Sequence, residues 1–162
     1  MAAAKKKAKE ADDIQPVCRN KRAYYEYEVF DTLECGIVLK GTEVKSLREH
    51  AASLEEAYAK IDAGELWLIG SDIPEYTMGN KLNHKPKRPR KLLVHKQEIA
   101  KFAGKASEKG YTLIPLRLYF KQGRAKVEIA VARGKKQYDK RESQKKAEAQ
   151  RDIRNSMKER RK

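Results

Sequence analysis

Apolar and polar side chains alternate along most of this chain in short, interrupted runs, a spacing that predicts strands. From Tyr24, YYEYEVFDTL alternates aromatic or apolar with polar residues, and CGIVLKG adds a second apolar run closed by Gly36 and Gly41. AYAKIDAGELWLIGSDI predicts a hairpin turning at Ala63-Gly64, with Leu66 and Leu68 on one face and Trp67 and Ile69 on the other. LRLYF (116–120) alternates again after Pro115. A turn at Gln122-Gly123 then leads into AKVEIAVA, where Val127, Ile129 and Val131 share a side. These runs give six strand candidates.

Helical spacing is rarer. HKQEIAKFAGKA (95–106) places Ile99, Phe102 and Ala103 at i, i+3 and i+4, one face able to dock on a sheet. Ser53-Leu54-Glu55-Glu56 has the form of a one-turn helix start with an N-cap serine. Short strands with a lone helix between them predict a mainly β domain with few helices, a small closed antiparallel barrel of the OB type.

Regular patterning stops at three places. Residues 1–19 are Ala/Lys-rich, then acidic, and read as a flexible extension ahead of a folded unit at 20–133. Within that unit, TMGNKLNHKPKRPR (77–90) carries Pro86 and Pro89, which hold the backbone extended and block a helix. The third is a basic tail, 134–162. From Asp139 it has neither Pro nor Gly and favours helix, with Glu142 and Lys146 paired at i, i+4. Its only sizeable apolar pair is Ile153 with Met157, too little to anchor a helix, so the tail is expected to be disordered when free and helical when bound.

Charge follows the same divisions. The formal net charge is +15 over 162 residues; 133–162 supply +8 of it, with thirteen Lys or Arg against five acids. Residues 81–96 supply +7 with no acid, while 1–80 and 97–132 cancel at −4 and +4. Two cationic segments on a near-neutral body point to two separate contacts with a polyanion. Around the first segment, basic residues alternate with groups that stack or hydrogen-bond: Asn80, Asn83, His84, Arg88, Arg90, His95 and, further on, Tyr119 and Tyr138.

Other chemistries find no support. His50, His84 and His95 lack metal-ligand spacing, and Cys18 and Cys35 read as free thiols. GIVLKGT (36–42) has the glycine spacing of a phosphate loop, but Thr42 stands where lysine is required and no capped helix is expected to follow. No cofactor, metal or enzyme motif appears. Residues 1–9 are basic without an apolar core, and no run approaches the roughly 18 apolar residues of a membrane span, so a cytoplasmic location is expected.

The runs GIVLKGTEVKSLRE, GNKLNHKPKRPRKLLVHKQEI and YTLIPLRLYFKQGRAKVEIAVARGKKQYDKR resemble the small protein B family, the SsrA-binding proteins, over roughly Asn20 to Arg141. The resemblance implies an OB-like barrel that binds transfer-messenger RNA at its tRNA-like domain. It implies delivery, by elongation factor Tu with GTP on the alanyl-charged RNA, to ribosomes stalled on non-stop messages. It also implies one copy per RNA, no cofactor and no catalysis. For the RNA it implicates Glu34 and the GN…NH loop, with Asn80, Asn83 and His84. It further implicates the basic stretch with Lys85, Arg88, Arg90, Lys91, Leu93 and His95, and also Lys126. Glu34 either orients a basic neighbour or accepts from a base, and Leu93 is either core or a platform for a splayed base. For the ribosome the octet GKKQYDKR supplies Gly134, Lys135, Lys136, Tyr138, Asp139, Lys140 and Arg141. The helix with Ile153 and Met157 would lie in the empty mRNA channel beyond the decoding centre of the small-subunit rRNA. Composition alone also allows a constitutive ribosomal protein with cationic rRNA-binding extensions.

Overall fold

The computed structural model describes residues 14–49, 52–79 and 83–136, together with the single positions Ala149 and Met157. Its core is antiparallel sheet with three helices. In chain order these are β1 (Ile14–Arg19), α1 (Lys21–Glu26), β2 (Tyr27–Ile37), α2 (Gly41–Arg48), β3 (Tyr58–Asp62), β4 (Glu65–Ile69), β5 (Arg90–Leu93), α3 (Lys96–Ser107), β6 (Tyr111–Lys121) and β7 (Arg124–Gly134). The strand order is β1-β6-β3-β4-β5-β2-β7, and β7 also pairs with β6 along its length, so the sheet curls back on itself. One edge of β6 is therefore shared. β1 takes its second half, and β3 meets its first half at the single pair Ala59↔Leu113.

Both tight hairpins form as expected. Ala63 and Gly64 (φ 47° and 75°) join β3 to β4, and Gln122 and Gly123 (φ 51° and 71°) join β6 to β7. Two positive-φ residues give the mirror-image turn whose twist matches the strands it connects. Leu66 and Leu68 face inward from β4, as do Val127, Ile129 and Val131 from β7. They meet Leu33, Cys35 and Ile37 of β2, Leu47 of α2 and Phe102 of α3 in the main core.

The opposite face of the sheet is also covered at one end. Ala23 of α1 packs there against Ile114, Leu116, Ala130 and Ala132. Two bulges make this possible, in β2 between Val29 and Asp31 and in β6 between Pro115 and Arg117. Each inserts a residue and so changes which face the following side chains take. Leu116 consequently faces α1 while Leu118 and Phe120 face the main core, although LRLYF alone reads as one alternating strand.

Four expectations need correction. YYEYEVFDTL does not begin as strand, because Asn20 turns the chain into α1 first. Its Oδ1 accepts the Ala23 N–H at 2.9 Å, and its Nδ2 donates to Leu54 O (2.9 Å) and Pro115 O (3.2 Å). CGIVLKG is not separate, since β2 continues through Gly36, where a Cβ would stand 3.2 Å from Leu93 Cβ and the glycine serves close strand approach. Ser53 begins a turn rather than a helix, its Oγ accepting from Glu55 N at 3.4 Å. Finally, residues 14–19, read as part of the extension, form β1 on the edge of β6.

A fifth departure is α2, which begins at Gly41 within GIVLKGT, where no capped helix is expected. Its start is organised by Glu43, whose Oε2 accepts the Lys40 N–H at 2.6 Å. The helix terminus thus holds a carboxylate of its own rather than a phosphate.

Two glycines test this architecture in opposite senses. At Gly70 (φ 76°) a Cβ would lie 2.9 Å from Glu56 O, so Gly70→Ala should cost about 2 kcal/mol. Gly104, inside α3, has nothing within 4 Å of such a Cβ, so Gly104→Ala should stabilise by about 0.5–1 kcal/mol. Urea unfolding of the two variants checks both signs.

Candidate nucleic-acid interface

The first cationic run, 81–96, takes in the end of the segment between β4 and β5, β5 itself and the start of α3, and the backbone of that segment is held by a buried ionic cluster. Glu43, on the first turn of α2, and Arg90, at the start of β5, have fully buried side chains. Arg90 Nε donates to Glu43 Oε1 at 2.9 Å, its Nη1 to Ser71 O (2.6 Å) and Ser71 Oγ (2.8 Å), and its Nη2 to Pro86 O (2.7 Å). Arg88 approaches the same carboxylate from outside with two bonds, Nε to Oε1 at 2.8 Å and Nη2 to Oε2 at 2.6 Å. Burial alone would raise the Glu43 pKa. The Arg88 bond, the Lys40 N–H and the two guanidinium charges more than offset it and hold the carboxyl below its ordinary 4.5.

His84 and Asn83 add to the loop's internal bonding. His84 is 1 % exposed; its Nε2 lies 2.9 Å from Ile73 O and its Nδ1 2.9 Å from Thr42 Oγ1. Asn83 bridges the loop, Nδ2 donating to Tyr76 O at 2.9 Å while Oδ1 accepts the His84 N–H at 3.1 Å. Expected as RNA contacts, Arg90 and His84 are buried and fully engaged, and Asn83 and Arg88 are engaged and only partly exposed. The reason is physical: a loop without helix or sheet must satisfy its carbonyls elsewhere, and a buried guanidinium offers five donors in a fixed fork. Asn80, expected beside them, lies outside the described residues.

What stays at the surface is a smaller set. Lys85 and His95 are exposed, His95 as the residue before α3. Lys87 pairs with Glu56 at 3.1 Å and Lys91 with Glu65, both as exposed or half-exposed pairs of little energetic weight. Leu93 is 55 % exposed and therefore not core. It lines an open groove of about 420 Å³ with Gly36, Leu39, Phe120, Arg124 and Lys126. The groove has an apolar floor and a cationic rim, supplied by the end of β2, by β5 and by the β6–β7 turn.

Glu34 stands beside this rim and answers to its basic neighbours. Its Oε2 accepts from Tyr119 Oη at 2.5 Å and from Lys121 Nζ at 3.4 Å, and its Oε1 lies 3.5 Å from Lys126 Nζ. Burial works against this carboxylate, yet the tyrosine bond and the two lysines lower its pKa. Tyr119, expected from its sequence neighbours to stack on bases, is 3 % exposed and is spent on Glu34; its pKa is raised by burial and then by that bond. Sequence reading missed Lys121 and Arg124. The signal was available: residues flanking the Gln122-Gly123 turn must share the hairpin end with Lys126.

At the other end of β7, Gly134 pairs with Tyr27 and Lys136 is exposed. Lys135 is half-buried and bonds to α1 rather than standing free. Tyr138, Asp139, Lys140, Arg141 and Ile153 lie outside the described residues, while Met157 is a helical position, 64 % exposed.

Fold and groove together define a class, a small basic β module with an open surface of apolar and cationic side chains. Among the described residues there is no cluster able to hold a metal and no helix long and apolar enough to cross a membrane. The chain belongs to the SmpB protein family, whose model matches residues 17–159. It is 58 % identical over 137 residues to an SsrA-binding protein of Desulforudis audaxviator, covering 85 % of this chain and 90 % of that one. It is 52 % identical over 159 residues to the SsrA-binding protein of Thermobifida fusca, covering 98 % and 99 %. A solved chain described as "tmRNA-SmpB: a journey to the center of the bacterial ribosome" superposes with TM-score 0.65 at 47 % identity, covering 75 % of this chain and 86 % of that one.

The ionic cluster makes two predictions. Arg90→Met leaves Glu43 buried with one of its two guanidinium partners and should cost about 3–5 kcal/mol, whereas Lys87→Met should stay within about 0.5 kcal/mol. Because Glu43 is held below its unfolded value, its contribution is complete above that value of 4.5 and is lost as pH falls further. Denaturation followed from pH 7 to pH 3 should show that loss, and Glu43→Gln should flatten it.

Proposed function

We propose that this chain is the RNA-binding factor of trans-translation, acting on transfer-messenger RNA in ribosome rescue. Membership of the SmpB family and the likeness to a chain solved as tmRNA-SmpB support that reading. The observation that carries it to residues is the groove: Leu93 shares an open, largely apolar groove with Lys126 and Arg124. An exposed leucine receives a base face and the cations receive phosphates, the two contacts an unpaired RNA loop needs. Glu34 contributes by fixing Lys121 and Lys126 through charge and hydrogen bonding.

In this reading the curled sheet acts as an OB-like barrel and takes the tRNA-like domain of the RNA. The tail, disordered when free and helical when bound, enters the decoding centre and the vacant mRNA channel. Tyr138 stacks there, Lys136, Lys140 and Arg141 meet rRNA phosphates, and the helix with Ile153 and Met157 follows the channel. Elongation factor Tu with GTP brings the alanyl-charged RNA, one copy of this chain rides on each RNA in the cytoplasm, and the chain performs no catalysis.

Two measurements test this. Leu93→Glu should weaken binding of isolated transfer-messenger RNA by about tenfold or more, and Lys126→Met should reduce the salt slope by about 0.7–0.9. Unchanged values for both would move the interface away from the groove. A chain ending at Arg133 should bind that RNA with near-normal affinity yet fail to tag peptides on stalled ribosomes, and loss of RNA binding in that chain would remove the two-contact model.

A further inference from the structure

The chain leaves its folded body through a junction gripped from two sides. On one side, the Lys135 N–H donates to Glu26 O at 2.8 Å and Lys135 Nζ donates to Tyr24 O at 3.1 Å. α1 has no basic residue in its last turn, so this lysine, from outside the helix, supplies the cation and donors its free carbonyls want. α1 cannot drift, because Asn20 ties its start to Leu54 and Pro115.

On the other side, Arg133 lies over two aromatic rings, 5.4 Å from the centroid of Phe30 and 5.9 Å from that of Tyr111. The rings meet edge to face at 5.2 Å, and Glu28 stands 3.5 Å from the guanidinium. Phe30 is the residue inserted by the β2 bulge and remains 48 % exposed, contributing to neither core cluster. Gly134, between the two grips, is held in register opposite Tyr27. None of these residues lines the groove that holds Leu93 and Lys126.

We infer that Phe30, Tyr111, Arg133 and Lys135 are positioning residues: a two-sided clamp that sets the direction in which the chain departs after Lys135. The inference rests on the reading of the tail as the ribosome-engaging segment. A tail pivoting freely at its root would lose that freedom on entering the ribosome, whereas a clamped root has lost it already on folding. The clamp also reassigns two cations. Arg133 and Lys135, counted from the sequence as part of the cationic tail, bind the body, and the phosphate-facing charge begins at Lys136.

The test uses the full chain with Phe30→Ala, Phe30→Trp and, separately, a chain ending at Arg133. Phe30→Ala should raise the amide hydrogen-exchange rate of Lys135, read by NMR, by about fivefold and lower the tagging rate at limiting factor by a similar ratio. Affinity for transfer-messenger RNA should not change and the melting temperature should fall by only about 2–4 °C, and Phe30→Trp, which keeps a flat ring, should restore both readouts. Unaltered Lys135 exchange, or normal tagging despite faster exchange, overturns the clamp. A parallel drop in RNA affinity also overturns it, by making the patch part of the RNA surface. Normal tagging by the chain ending at Arg133 instead removes the parent reading of the tail, a result distinguishable from failure of Phe30→Ala alone.

Discussion

One carboxylate organises the half of the molecule that carries the groove. Glu43 lies in the dry interior between two guanidinium groups and a helix-terminal amide, where an unpaired ion would cost several kcal/mol. Through Arg90 it fixes the carbonyls of Ser71 and Pro86, and through Arg88 the carbonyl of Val38 at 3.3 Å. α2, the end of β2, the irregular loop and the first residue of β5 are thereby joined in one polar knot. Leu93 is three residues from Arg90, so the height at which it meets the groove is set by that knot.

The other half depends on register. The paired bulges of β2 and β6 let a single sheet serve two apolar clusters, so β7 is covered on both sides along Ala130, Val131 and Ala132. Beyond the reach of α1 the outer face reverts to polar residues, and Glu34, Lys121 and Lys126 emerge there as a connected group. The boundary between covered and open sheet is thus a consequence of two inserted residues.

Much of this was legible in the sequence. Period-2 spacing and the two glycine turns located β3, β4, β6 and β7, and the 3.6-residue spacing of Ile99 and Phe102 located α3. α1 was not legible, because its Tyr24 and Tyr25 lead straight into the alternating run of β2 and the deciding bonds reach from Asn20 to Leu54 and Pro115, far along the chain. The site was half legible. Leu93 and His95 are exposed and Lys126 partly so, but Arg90 and His84, expected outward from their charge and neighbours, are buried. A basic residue's destination depends on whether a carboxylate waits inside. Glu43, 47 positions away in sequence from Arg90, gives no local sign that it does.

Arg90 also recognises its loop almost entirely through main-chain oxygens, those of Ser71, Pro86 and Arg88. Backbone oxygens are the same whatever side chain stands beside them. The path of this loop is therefore constrained while much of its surface chemistry is left open: Lys85 and Lys87 can be exchanged without disturbing the guanidinium that holds the turn. Length near the fork has no such freedom, since one residue added between Pro86 and Arg90 would shift a carbonyl out of it. The fold thereby separates what the loop must be from what it can display, and the displayed part is free to be tuned to a partner.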